Sequence, residues 1–168
     1  MKRNGFSMIE LVFVIVILGV LAAVAVPRFV TTRTDAQVAM LRSDIASVLK
    51  AIPARVFAEN LDPTQSTPPG YSNWGEWMID TGGMDRGRWM ANKNYITPTY
   101  SQAQVNLPCS INDGIISIEI ASGNLIFNPN AITSSSNGRG TTCNNLRDSY
   151  PSGSNRIIPL ATTGAVKF

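Results

Sequence analysis

An uncharged run of sixteen residues near the N-terminus, LVFVIVILGVLAAVAV at positions 11–26, restricts what this chain can become more than any other stretch. Counted from Phe6, the segment has 21 residues and one ionisable group, Glu10. As a helix rising about 1.5 Å per residue it would be about 31 Å long, near the hydrocarbon thickness of a bilayer. Its Val and Ile content is no case for a strand, because lipid gives backbone polar groups no partner outside the segment. The leader Met1-Lys2-Arg3-Asn4 is positive and polar. The stretch therefore reads as a membrane segment or a secretory signal with its leader in the cytoplasm.

Glu10 sits at the head of the apolar run, where neither reading has a use for it. A carboxylate at bilayer depth costs on the order of 2.5–3.5 kcal/mol at the helix centre and less near the interface. It needs a partner. Cutting the chain after Gly5 would free the amine of Phe6, one helical turn from Glu10, and the two charges would neutralise each other within one chain or between packed neighbours.

These residues carry a family resemblance. Lys2-Arg3, Gly5, Phe6, Ser7, Met8-Ile9, Glu10 and the apolar residues 11–26, closed by Pro27, resemble the class III signal of type IV pilins and type II secretion pseudopilins. The match covers about 30 of the 168 residues, and its order and spacing are specific. The resemblance implies cleavage by prepilin peptidase between Gly5 and Phe6, N-methylation of Phe6, and a docking role for Glu10 in filament assembly. It further implies partners: other copies of the chain, other or minor pilins, an assembly ATPase and an inner-membrane platform protein. The competing reading is an ordinary signal peptide, since Ala23-Val24-Ala25 is an A-x-A pattern that signal peptidase would cut after Ala25. That reading leaves Glu10 unexplained.

Composition narrows the rest. Without Lys2 and Arg3 the chain holds 12 basic against 11 acidic residues, a balance suited to packing beside copies of itself and not a nucleic-acid signature. There is no His, which removes the commonest general base and metal ligand. Cys109 and Cys143 are the two cysteines, and in an exported chain a disulfide between them is the default. It would close a loop of roughly 35 residues and stabilise the fold by about 4 kcal/mol in the chain-entropy treatment. The alternative, a pair of free or metal-binding thiols, lacks supporting ligands. Many secretion-type major pseudopilins lack such a C-terminal disulfide, so the resemblance leans toward a pilus subunit.

Beyond Pro27 the apolar residues Val38, Leu41, Ile45, Val48, Leu49, Ile52 and Val56 form one helical stripe. The helix is thus apolar all round in its first half and amphipathic in its second. Gly19 and Pro27 are its expected points of weakness or kinking. Pro53 leaves two readings open, a helix that runs on through Val56 or one that stops near Ala51. Residues 60–75, with Pro63, Pro68, Pro69 and Gly70, read as a loop. Residues 76–100 are the least legible, with a short strand or helix expected near Trp77–Ile79. Ile116, Ile118 and Ile120 alternate with Ser117 and Glu119, then Ser122-Gly123-Asn124 turns into Leu125-Ile126-Phe127, an antiparallel hairpin. Residues 133–145 are polar and Gly-rich, expected as a surface loop that Cys143 ties back. A last short strand is expected at residues 156–160.

The expected fold is α+β and type IV pilin-like: a long N-terminal helix on a small antiparallel sheet, with a disulfide-bounded C-terminal region. Its parts are a leader at 1–5, a transmembrane or filament-core half-helix at 6–26, an amphipathic half at 27–59 and a head at 60–168 with a hairpin near 115–128. Enzyme chemistry is not expected, because Ser-His and Cys-His constellations cannot be built. No cofactor and no metal is expected. Asn112, Asp113 and Asp148 offer oxygen ligands for calcium without an EF-hand spacing. Tyr71, Trp74, Trp77 and Trp89 with Arg86 and Arg88 would suit DNA or sugar stacking, but the favoured reading puts these rings in the core, and nucleic acid is not indicated as a partner.

The functional expectation is a structural subunit of a type IV pilus-like filament. It starts as a single-pass inner-membrane precursor and ends in an extracellular pilus. The alternatives are a periplasmic type II secretion pseudopilin and, in a different class, a monomeric membrane-anchored or secreted binding module.

Overall fold

A computed structural model describes residues 7–102, 105–110, 114–132, 141–151 and 153–161, the side chains of 24–32, 101, 102, 105, 106 and 141 excepted. One helix, α1 (Met8–Ala58), holds the N-terminal third. It continues through Gly19, Pro27 and Pro53, so the choice at Pro53 falls to the longer helix. A proline costs one ladder hydrogen bond, and the buried stripe on both sides of Pro53 outweighs it. The helix closes where Asn60 takes a left-handed φ of 49° and the Leu61 N–H reaches the Val56 carbonyl at 2.9 Å. Asn is one of the few residues that accept that conformation.

The chain divides into two compact units, Met1–Ala36 and Gln37–Phe168, with α1 contributing to both. In the first unit every described side chain from Ser7 to Ala23 is exposed. The second unit owns the hydrophobic core. Val38, Leu41, Ile45, Val48, Ile52 and Val56 of α1 are all buried in it, which is the stripe expected from their spacing.

Opposite them lies a six-stranded antiparallel sheet: β1 (Trp89–Asn92), β2 (Tyr95–Gln102), β3 (Val105–Pro108), β4 (Ile116–Glu119), β5 (Asn124–Phe127) and β6 (Arg156–Pro159). Its order is β1-β2-β4-β5-β6, with β3 paired to the far half of β2. The expected hairpin is β4–β5, in register Ile116↔Phe127 to Glu119↔Asn124. Gly123 makes its turn at φ 66°, where a Cβ would come within 2.6 Å of Ala161. Ile116 and Ile118 from β4, with Leu125 and Phe127 from β5, face the core, as period-two alternation requires.

The region around Trp77–Ile79 is helical: α2 (Trp74–Gly82) buries Trp74, Trp77, Met78 and Ile79. Asn73 caps it, accepting the Glu76 N–H at 2.8 Å, and Gly83 ends it in the left-handed region. Gly82 is needed for a different reason, since a Cβ there would lie 2.1 Å from Val48 Cγ2. Asn73→Ala is expected to cost about 1 kcal/mol, seen as a lower denaturation midpoint with an unchanged m-value.

The reading of residues 133–145 needs correction. Part of that stretch is helix α3 (Thr141–Asp148), which buries Cys143 and Leu146 on one side. Cys143 is joined to Cys109 in a disulfide, as expected.

Candidate functional site

The segment with functional character begins where α1 begins. Ser7 precedes the first helical residue, and Glu10 lies three residues on. The Ser7 N–H donates to Glu10 Oε2 at 2.9 Å, and the Leu11 N–H reaches the Ser7 carbonyl at 3.2 Å. Glu10 therefore satisfies one of the donors that a helix start leaves without an intrahelical partner, and its charge complements the positive end of the helix dipole. Ser-x-x-Glu is the sequence signature of such a cap. Ser7-Met8-Ile9-Glu10 carries that signal, a capping role for Glu10 in addition to the docking charge expected of it. Gly5 and Phe6, the expected cleavage and methylation residues, lie outside the described residues.

From Leu11 to Val26 the sequence behind Glu10 offers nothing polar. Met8, Ile9, Leu11, Val12, Phe13, Val14 and their successors to Leu21 are between 42% and 89% exposed, and they face every direction around the axis. A helix apolar on all sides is a segment meant for burial, either in lipid or among other helices. Among the described residues, no helix is long and apolar enough to cross a membrane. The apolar run itself continues to Val26, past the last described side chain of that stretch, Ala23. Gly19 meets no atom within 4 Å where its Cβ would be. Its helix-weakening cost, up to about 1 kcal/mol against Ala, is thus not offset by close packing within this chain.

The second set of candidates resolves as core. Trp74, Trp77 and Trp89 are each about 1% exposed, with Trp74 and Trp77 edge-on at 5.3 Å. Their polar edges are used internally: Trp74 Nε1 donates to the Gln65 carbonyl at 2.8 Å, and Trp89 Nε1 to Asp44 Oδ2 at 2.9 Å. The arginines are committed too. Arg86 pairs with Glu76, and Arg88 with Asp44 and Asp85. Tyr71 donates to Asp80 while the Arg55 guanidinium lies 5.9 Å from its ring centroid. The stacking surface for bases or sugars is therefore spent on folding. Asp148 is paired with Arg147 at 2.9 Å, and Asn112 and Asp113 lie outside the described residues. Among the described residues no group of three or more acidic or cysteine side chains gathers around a metal-sized space.

Residues 1–26 match the prokaryotic N-terminal methylation motif, and the helix start just described lies within that match. Among curated proteins, the chain is 47% identical over 51 residues to the type IV narrow pilus major component PilA5 of Thermus thermophilus. That match covers 30% of this chain and 44% of the relative. It is 37% identical, again over 51 residues, to the type II secretion system core protein G of Pseudomonas aeruginosa, covering 30% of this chain and 36% of that one. The chain thus spans less than half the length of either curated relative. No solved structure matches it.

Proposed function

We propose that this chain is a structural subunit, not an enzyme, of a type IV pilus-like filament that polymerises through its N-terminal helix. The observation that carries the reading is the methylation motif over residues 1–26 heading a helix whose apolar side chains are exposed all round. Such a surface cannot stay in water. It lies in the inner membrane in the precursor, with Lys2 and Arg3 cytoplasmic, and among the helices of neighbouring subunits after assembly. Prepilin peptidase removes residues 1–5 and methylates Phe6. An assembly ATPase and a platform protein then draw the subunit from the bilayer. In the polymer, residues 6–26 form the core, and Glu10 meets the Phe6 amine of a neighbour. The Gly19 position, open on this chain, is where a neighbouring helix approaches closely.

A pseudopilin of a type II secretion machine, in a periplasmic filament, is the second reading, favoured by the match to core protein G. The Cys109–Cys143 bridge supports the pilus reading over it.

The test is the intact mass and N-terminal peptide of the protein from its own cells, before and after reduction. The expected chain begins at N-methylated Phe6 and is two hydrogens lighter before reduction. A chain beginning at Val26, the product of ordinary signal peptidase, would overturn the filament reading.

A further inference from the structure

A groove of about 430 Å³ opens on the head between α1, the end of β5 and the segment after α3, within the unit Gln37–Phe168. Ile45, Leu49 and Phe127 supply an apolar floor, and Tyr150 meets Phe127 edge-on at 5.2 Å. Two cations overhang it. The Arg42 guanidinium lies 5.3 Å from the Tyr150 ring centroid, and Arg156, opposite Phe127 in the β5–β6 ladder, lines the same groove. Among the described residues no carboxylate lines it.

Elsewhere on the head, several arginines are neutralised within the chain. Arg55, Arg86, Arg88 and Arg147 each have a carboxylate within 4.0 Å. Among the described residues Arg42 and Arg156 have none; Arg33, Lys50 and Lys93 also lack one, but they do not line the groove. Burial pushes the Tyr150 hydroxyl above its ordinary range, and the two arginine charges oppose that shift. The groove is therefore a positively charged, aromatic-walled cleft that lacks its counter-ion.

On the acidic side the reverse holds. Among the described residues, Asp35 is the acid with neither a hydrogen bond nor an ion pair, and it is exposed. The charges of the chain without its leader nearly balance, at 12 basic against 11 acidic, so counter-charges left over on one copy can be met on the next.

We infer that the Arg42–Arg156–Tyr150 groove is an intersubunit socket that receives Asp35 of a second copy of this chain. The contact joins two different surfaces, so it is not a two-fold dimer contact, and where its rotation does not close a ring it builds an open polymer. Two cations holding one carboxylate above an apolar floor exclude water better than an exposed pair does, and they fix the register between copies. The inference rests on the filament reading and adds to it a specific head contact.

The test uses full-length chains expressed in the native cells, comparing wild type, Arg42→Asp, Asp35→Arg and the double exchange. Sheared filament yield is measured against total protein. Each single reversal is expected to lower yield by about fivefold or more, because it sets like charges face to face, and the double exchange to restore most of it. If a reversal at Arg42 lowers the total protein, Arg156→Gln, on the exposed strand β6, takes its place with a smaller expected loss. Wild-type filaments with singles at wild-type yield, or with no restoration in the double exchange, would overturn the socket and leave the filament reading standing. No filaments from the wild type would remove both.

Discussion

Glu10→Ala is expected to reduce incorporation into filaments by about tenfold or more while leaving the thermal midpoint of the head unchanged. Two losses add. The alanine removes the cap on the Ser7 N–H, worth about 1 kcal/mol at a helix start. On the proposed reading it also removes the anion that neutralises a neighbour's Phe6 amine, and an unpaired charge in a protein interior costs about 3–5 kcal/mol. The head is spared because, among the described residues, the contact of Glu10 is with Ser7. Glu10→Gln separates the two effects. Glutamine keeps a side-chain oxygen for the Ser7 N–H but carries no charge, so incorporation should fall nearly as far as with alanine. Ser7→Ala retains the charge and should assemble at close to the wild-type level. Near-normal yields from Glu10→Gln would mean that the cap, not the ion pair, is the function of this carboxylate.

Where the sequence was legible, one periodicity dominated. The α1 stripe from Val38 to Val56 and the alternation of β4 were read correctly because each places apolar residues on one face at a spacing that suits one structure only. Pro53 could not be resolved locally. Its penalty is local, whereas the burial of Ile52 and Val56 that outweighs it depends on strands far along the chain. The sheet's β1, β2 and β3 were missed for a related reason. Pro98 in the middle of β2 reads as a breaker, yet it sits opposite Trp89 and its carbonyl accepts the Cys109 N–H at 2.8 Å. Helix α3 was hidden by composition: in TTCNNLRD only Cys143 and Leu146, three apart, show an inward face. Two helix starts were legible and went unread, Ser7 with Glu10 and Asn73 with Glu76, each a capping residue followed three positions later by Glu. The groove at Arg42 and Arg156 was out of reach, since its walls come from three separate elements.

The same weakness of α3 makes the disulfide the most sensitive point of the head. Converting both Cys109 and Cys143 to Ser is expected to cost about 4 kcal/mol, given the loop that the bridge closes. The bridge spans a sequence separation of 34 and both sulfurs are fully buried, so the substitution also places two hydroxyls in the core. A cost of that size should lower the midpoint of thermal unfolding by about 10 °C or more. Its distribution is a separate question. α3 has a polar sequence, buries Leu146 beside Cys143, and adds one side-chain bond to α1, Thr142 Oγ1 to Gln37 Oε1 at 3.1 Å. α3 gives Cys143 and Leu146 to the core that holds Leu41, Ile45, Val48 and Ile52, but most of that core comes from α1, α2 and the sheet. Loss of the bridge should therefore release α3 first, and proteolysis of folded protein should cut near residues 141–148 about a thousandfold faster in the double variant, the factor that 4 kcal/mol implies for a local opening. A fall in midpoint without faster local cleavage would place α3 in the same cooperative unit as the sheet; faster cleavage at an unchanged midpoint would make the bridge a clasp on one helix alone.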